Sequence, residues 1–125
     1  MIRGTLILEG LREGATLSGF RLVVHEVGRG RPNLSPQQIA VGIPKVWSAI
    51  EFELEEARAA ELADALSKVL DSIGWYANFS SPTETYIVYP GRVFRYPRRE
   101  PQGRAEAQAF GRTLGIPEHQ LDWSE

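Results

Sequence analysis

Residues 75–96 read WYANFSSPTETYIVYPGRVFRY, and the reading of this stretch decides the fold. Three runs rich in aromatic and β-branched residues, Trp75 to Phe79, Glu84 to Tyr89 and Arg92 to Tyr96, are separated by Ser80-Ser81-Pro82-Thr83 and Pro90-Gly91. Both separators are turn-forming clusters, so the spacing predicts a three-stranded antiparallel meander. Pro-Gly favours a type II turn, whose twist fits a hairpin poorly, and a second connection wider than two residues is the alternative there. In the tightest register Trp75, Ala77, Phe79, Tyr86, Val88, Val93 and Arg95 share one face. Tyr76, Asn78, Thr85, Ile87, Tyr89, Arg92, Phe94 and Tyr96 share the other. Both faces are apolar and aromatic.

Upstream, Val46 to Leu54 alternates cleanly, with Val46, Ser48, Ile50, Phe52 and Leu54 pointing one way and Trp47, Ala49, Glu51 and Glu53 the other. From Glu55 the period changes to 3.6. Ala59, Leu62, Ala63, Leu66, Val69, Leu70 and Ile73 then fall on one stripe of a helix, and Gly74 is placed to take the left-handed conformation beyond its end. Thr5 to Leu11 and Leu17 to Val27 read as two further strands, joined by Arg12-Glu13-Gly14 into a β-hairpin. Downstream, residues 101–115 read as a C-terminal helix with Ala107, Phe110 and Leu114 inward, followed by a short turn that docks Trp123. The resulting order is βββα-βββα. It predicts a single α+β domain over residues 1–125, an antiparallel sheet of five or six strands with two amphipathic helices on one face.

The chain has 125 residues, a net charge of −2 and 42% hydrophobic content, which excludes disordered, collagen-like and coiled-coil classes. No cysteine is present, so disulfide scaffolds, thiolate metal sites and thiol catalysis are excluded. No apolar run reaches the roughly 18 residues of a membrane span and no signal-peptide pattern opens the chain, so the expected setting is cytoplasmic, away from any membrane, in a bacterial-type soluble protein. An acidic net charge argues against a dedicated nucleic-acid binder. Charge is unevenly spread: residues 51–72 carry seven acids against Arg58 and Lys68, while residues 92–104 carry Arg92, Arg95, Arg98, Arg99 and Arg104 against Glu100 alone. The simplest expectation is two solvated runs that attract each other within one molecule.

Residues 28–44 form a Gly-, Pro- and Asn-rich connection, longer than the usual loop. Within it Ser35-Pro36-Gln37-Gln38 has the pattern of a capping box with Pro at the first helical position, and predicts a short helix through Val41. Arg29-Gly30-Arg31-Pro32 resembles the core of an AT-hook, which implies arginines laid in the minor groove of DNA. Val27, Gly28, Asn33 and Leu34 flank it without further charge, and about two charges are too few for useful affinity, so the string is read as a solvated turn.

Chemistry-bearing constellations are sparse. His25 and His119 are the only histidines, with His119 and Asp122 three residues apart, and neither belongs to a spaced metal motif. Glu51 and Glu53 share a strand face and are read as a solvated edge. No nucleophile elbow or phosphate-binding glycine loop occurs, so the reading leans away from an enzyme and expects no cofactor and no metal. Surplus aromatic surface is the main clue. One helical layer covers only one face of the meander, so the other needs a partner. The leading expectation is therefore an interaction or regulatory module, a homodimer or a partner of another protein, which docks through Tyr76, Tyr86, Tyr89, Arg92, Phe94, Arg95, Tyr96, Arg98 and Arg99. The alternative is a small-molecule or enzymatic site, a Tyr- and Arg-lined pocket for an anion under the 28–44 loop. Single-stranded nucleic acid on exposed rings and arginines is the third.

Overall fold

The alternating segment that ends at Leu54 forms the strand Trp47–Leu54 (β3), and five more join it: Ile2–Ile7 (β1), Val23–Gly30 (β2), Ala77–Ser80 (β4), Glu84–Tyr89 (β5) and Arg92–Pro97 (β6). The computed structural model describes residues 1–125, with the strands in one antiparallel sheet of order β2-β3-β1-β4-β5-β6. Helices Pro36–Ala40 (α1), Ala59–Val69 (α2) and Pro101–Thr113 (α3) pack around it, giving an α+β fold. No helix is long and apolar enough to cross a membrane.

The two longer helices lie on opposite faces of the sheet, which corrects the expectation that both cover one. Successive residues of a strand point to opposite sides. In β5, Tyr86 and Val88 pack in a cluster with Leu62, Ala63 and Leu66 of α2, whereas Ile87 and Tyr89 pack with Ala107 of α3 and with Ile116, Leu121 and Trp123 of the C-terminal segment. The physical reason lies in β5 itself. It is buried from Thr85 to Tyr89, and a strand apolar on both sides needs cover on both. With α2 on one side, the chain reverses after β6 through Arg99, at φ 65, and lays α3 against the other.

The first two strands do not form a hairpin. β3 runs between β1 and β2, pairing Leu6 with Ile50 on one side and Val27 with Ile50 on the other. Residues 17–22 stay outside any strand and close over the α2 side instead, where Leu17, Phe20 and Leu22 pack at the edge of the core. β3 has the stronger alternation, and its place between β1 and β2 buries Phe52 and Leu54, at 1% and 2% exposure. β2 is left as an exposed edge strand with an irregularity between Val24 and Glu26. It extends to Gly30, so half of the Arg29–Pro32 string is strand rather than turn, with the Arg29 Nε donating to the Ser48 hydroxyl at 3.2 Å.

α2 ends at Val69, four residues before its apolar stripe runs out, because Leu70 is extended and bridges Leu11. Two backbone hydrogen bonds, from the Arg12 N–H to the Val69 carbonyl and from the Asp71 N–H to the Gly10 carbonyl, fix that crossing. Gly74 has the expected positive φ but closes the turn after the helix rather than the helix itself.

The meander forms in its tightest register. Tyr86 pairs with Arg95 and Tyr89 with Arg92, leaving only Pro90 and Gly91 in the connection. Gly91 takes φ 74, as a type II turn demands at that position, and its N–H donates to the Ser67 carbonyl of α2 at 2.9 Å. That tertiary bond holds a turn that local twist disfavours, so the wider connection is not needed. The capping box of α1 is complete: Ser35 accepts from the Gln38 N–H, and the Gln38 side chain accepts from the Ser35 N–H.

Candidate functional site

The tyrosines singled out by sequence are interior or half-interior. Tyr89 is fully buried and donates its hydroxyl to the Ala107 carbonyl at 2.6 Å. Tyr96, also buried, accepts from the Trp123 indole N–H at 2.9 Å. Tyr86 stacks on Phe79 at 5.1 Å between ring centres, with the Arg95 guanidinium over its ring. Tyr76 is half-buried, its ring against Trp123 and its hydroxyl donating to the Gln120 carbonyl. Burial pushes the phenols of Tyr76 and Tyr89 well above their ordinary value, and that of Tyr96 up to about 12. Phe94 is half-buried against Tyr89 and Phe110.

The aromatic face expected to await a partner is therefore covered by α3 and the C-terminal segment, which corrects the premise of an open docking face. The exposed large apolar residues are elsewhere, including Val23, Val24 and Val27 on β2.

The arginines are dispersed. Arg92 lies 4.6 Å over the Phe94 ring, Arg95 pairs with Glu84, and Arg104 pairs with Glu125 at 2.6 Å. Arg99 is exposed, and its backbone N–H, not its side chain, meets Glu125. No ion pair joins the basic run to the acidic run of residues 51–72. Glu125 gathers the C-terminal end: it accepts from the Thr85 hydroxyl, the Arg99 N–H and Arg104, with only 5% of its side chain exposed. Burial alone would raise its carboxyl, but these donors outweigh that and hold it below the usual glutamate range.

The cover on the α3 side stops at β4. Beyond it the sheet floor is open, and there a cavity of about 330 Å³ forms between the floor, the C-terminal segment and the 28–44 loop. Trp47 and Trp75 stand at one end with ring centres 5.0 Å apart and planes tilted by 52°, and Tyr76 adds a third ring. The Trp47 indole N–H donates to the Pro44 carbonyl at 2.8 Å, which fixes its orientation. Thr5 of β1 and Asn78 of β4, directly opposite each other in the sheet, supply a hydroxyl and an amide to the floor. Asp122 is the one carboxylate of the lining and enters none of the ion pairs.

Pro32 and Asn33 of the long loop line the cavity. The loop is tied to the C-terminal segment, since the Asn33 carbonyl contacts His119 Nε2 at 2.7 Å and accepts from Gln120, while Gln38 and Gln120 bond side chain to side chain at 2.8 Å. Of the residues singled out for docking, only Tyr76 lines this cavity, and no arginine does. This cavity presents tryptophan, tyrosine and asparagine, without the arginines that the alternative reading placed in its pocket. His119 and Asp122 both line this cavity, but His25 stands on β2 against Glu53 at 3.0 Å, so the histidines are not brought together as ligands.

Trp47, Trp75, Thr5 and Asn78 escaped sequence reasoning. A signal existed in β1 and β4, where Arg3, Thr5, Asn78 and Ser80 make one face polar while the other stays apolar, the mark of a floor that no helix covers. Comparison with protein-family models, curated proteins and solved structures gives no significant match.

Proposed function

We propose that this chain is a small-molecule-binding domain and that its ligand occupies the cavity walled by Trp47, Trp75 and Tyr76. The observation that carries the reading is the combination of the Trp47–Trp75 ring pair, the Tyr76 ring and a polar floor in one concavity of about 330 Å³, a size at the lower end of small-ligand sites. Aromatic walls supply dispersion and stacking, and a few convergent polar groups supply orientation. Binding, rather than catalysis, is the better-supported role. Near the rings no nucleophile stands beside a base, and the His119 ring is held at the Asn33 carbonyl.

Intrinsic fluorescence tests this directly, because two of the three tryptophans line the cavity. A library of flat aromatic fragments should contain members that change the emission saturably and raise Tm. Trp47→Ala, at a half-buried position, should abolish the response while circular dichroism stays that of the wild type. A library without a saturable hit, or a hit whose affinity ignores Trp47→Ala, would overturn the reading.

A further inference from the structure

A second cavity, of about 320 Å³, continues from the first along the same open floor and shares Thr5 and Asn78 with it. Its character is the opposite. No hydrophobic side chain lines it; Arg3, Arg98, Ser80 and Ser81 do. The sheet register orders the pair into rows. Arg3 faces Ser80 and Thr5 faces Asn78, and continuing the register sets Ile7 beside Tyr76. Side chains on one face of a strand recur about every 6.8 Å, so the aromatic row and the arginine row lie roughly 13–14 Å apart, with the hydroxyl and amide row midway.

Charge gives this furrow a direction. Two carboxylates line the second cavity beside its two arginines, and both have partners: Glu51 pairs with Arg3 at 3.4 Å, and Glu125 accepts from Arg104, Thr85 and the Arg99 N–H. Arg98 enters no ion pair, and its buried Nε has no hydrogen-bond partner. A guanidinium that lines a polar cavity and has no carboxylate partner is suited to hold an anion. At the far end the Asp122 carboxylate disfavours an anion and offers acceptor oxygens to a ligand.

We infer that the two cavities are one site for a mononucleotide-like ligand, with a flat ring at Trp47, Trp75 and Tyr76, a hydroxyl-bearing linker over Thr5 and Asn78, and an anionic group at Arg98 and Arg3. This rests on the binding reading above and adds the ligand's class and orientation. The order of ring, polyhydroxyl linker and anion is that of a nucleoside 5′-monophosphate, whose amino-bearing base suits Asp122. The site thereby takes the anion that the arginine run invites, but at Arg98 alone of that run, while Arg92, Arg95 and Arg104 are spent on internal contacts.

Calorimetric titration of the full chain with the four ribonucleoside 5′-monophosphates, the four nucleosides and inorganic phosphate tests the inference. At least one monophosphate should bind at least tenfold more tightly than its own nucleoside and than inorganic phosphate. Arg98→Gln should remove that tenfold advantage and leave nucleoside affinity unchanged, whereas Trp47→Ala should weaken nucleoside and nucleotide together. The ratio in the wild type decides the matter even if the Arg98 variant folds poorly. Equal affinities for nucleoside and monophosphate, or phosphate alone binding as well as either, would overturn the inference. If no nucleoside or nucleotide binds while aromatic fragments still perturb the tryptophans, the ligand class is wrong and the binding reading survives; if both screens are empty, both fail.

Discussion

Gly111 offers a sharp test of the arrangement that creates the site, because it lies where α3 meets the sheet. Replacing a glycine inside a helix by alanine ordinarily stabilises it by about 0.8–1 kcal/mol. Here an added Cβ would stand 2.6 Å from Leu121 Cδ2 and 2.7 Å from the Tyr89 hydroxyl oxygen, with Tyr89 Cζ at 3.3 Å. Neither neighbour has room to retreat, since Tyr89 is 0% and Leu121 1% exposed and the Tyr89 hydroxyl is held by the Ala107 carbonyl. Overpacking costs about 1–3 kcal/mol, and two immobile partners put this site at the upper end, so Gly111→Ala should lose about 2 kcal/mol net. At about 4 °C per kcal/mol for a chain of this size, Tm should fall by roughly 8 °C. Urea unfolding followed by circular dichroism reads the loss as a lowered midpoint at constant slope. Tyr89→Phe alone forfeits one hydrogen bond, about 1 kcal/mol, yet removes one of the two obstacles. The double variant should therefore be less destabilised than the sum by about 1 kcal/mol. A Gly111→Ala variant more stable than the wild type, or strict additivity, would refute the placement of α3 against the Tyr89 face.

Two further outcomes bear on the same architecture. Tyr89→Ala should cost about 3–5 kcal/mol, and together with Phe94→Ala should unfold the chain rather than alter its mass in light scattering; a well-folded double variant with changed association would restore the open-face reading. Glu125 links stability to pH. Its folded-state carboxyl lies below the ordinary 4.5, so its contribution is complete above that value and is lost as pH falls through the folded one. The wild type should thus lose stability more steeply than Glu125→Gln between roughly pH 5 and pH 3, and parallel profiles would show that the cluster does not hold the C-terminal end.

Local patterns were legible wherever one strand or helix explains itself. The meander, its register and the capping box at Ser35 all follow from residues near one another in the chain. What escaped were choices between partners far apart. Nothing in residues 5–27 states that β3 will intervene between β1 and β2, because alternation specifies which face is buried and not which strand lies alongside. The two-sided apolarity of β5 was plain, yet cover by α3 was missed because α3 is itself weakly amphipathic: it buries only Ala107 and Gly111 fully, and the Ile116–Trp123 segment does the rest. Once that cover is internal, the aromatic surplus ceases to ask for a partner. The cavity was out of reach for a different reason. Thr5, Asn78, Trp47 and Asp122 come from four separate parts of the chain and share no motif.

The incomplete cover also explains why the cavities form where they do. On the α2 side, core packing extends across β3, β1, β4 and β5, while on the other side α3 and the C-terminal segment pack only over the β5 and β6 end. A sheet covered unequally has a ledge where the thinner layer stops, and the furrow lies along it, with Thr5 and Asn78 as floor and Ile116, His119 and Asp122 as wall. The wall is held by contacts that include Trp123 to Tyr96, Glu125 to Thr85 and Arg104, Gln120 to Tyr76 and to Gln38 of the loop, and His119 to Asn33. A ligand that touches both floor and wall binds only the docked form, so by mass action it must stabilise the C-terminal segment in proportion to its affinity. Conversely, any change that frees Trp123 or Glu125 removes a wall of the cavity and weakens binding without touching a single ligand-contacting ring. For the proposed ligand, fold stability and affinity would therefore couple through the last ten residues rather than through β2, whose eight residues are exposed and line neither cavity.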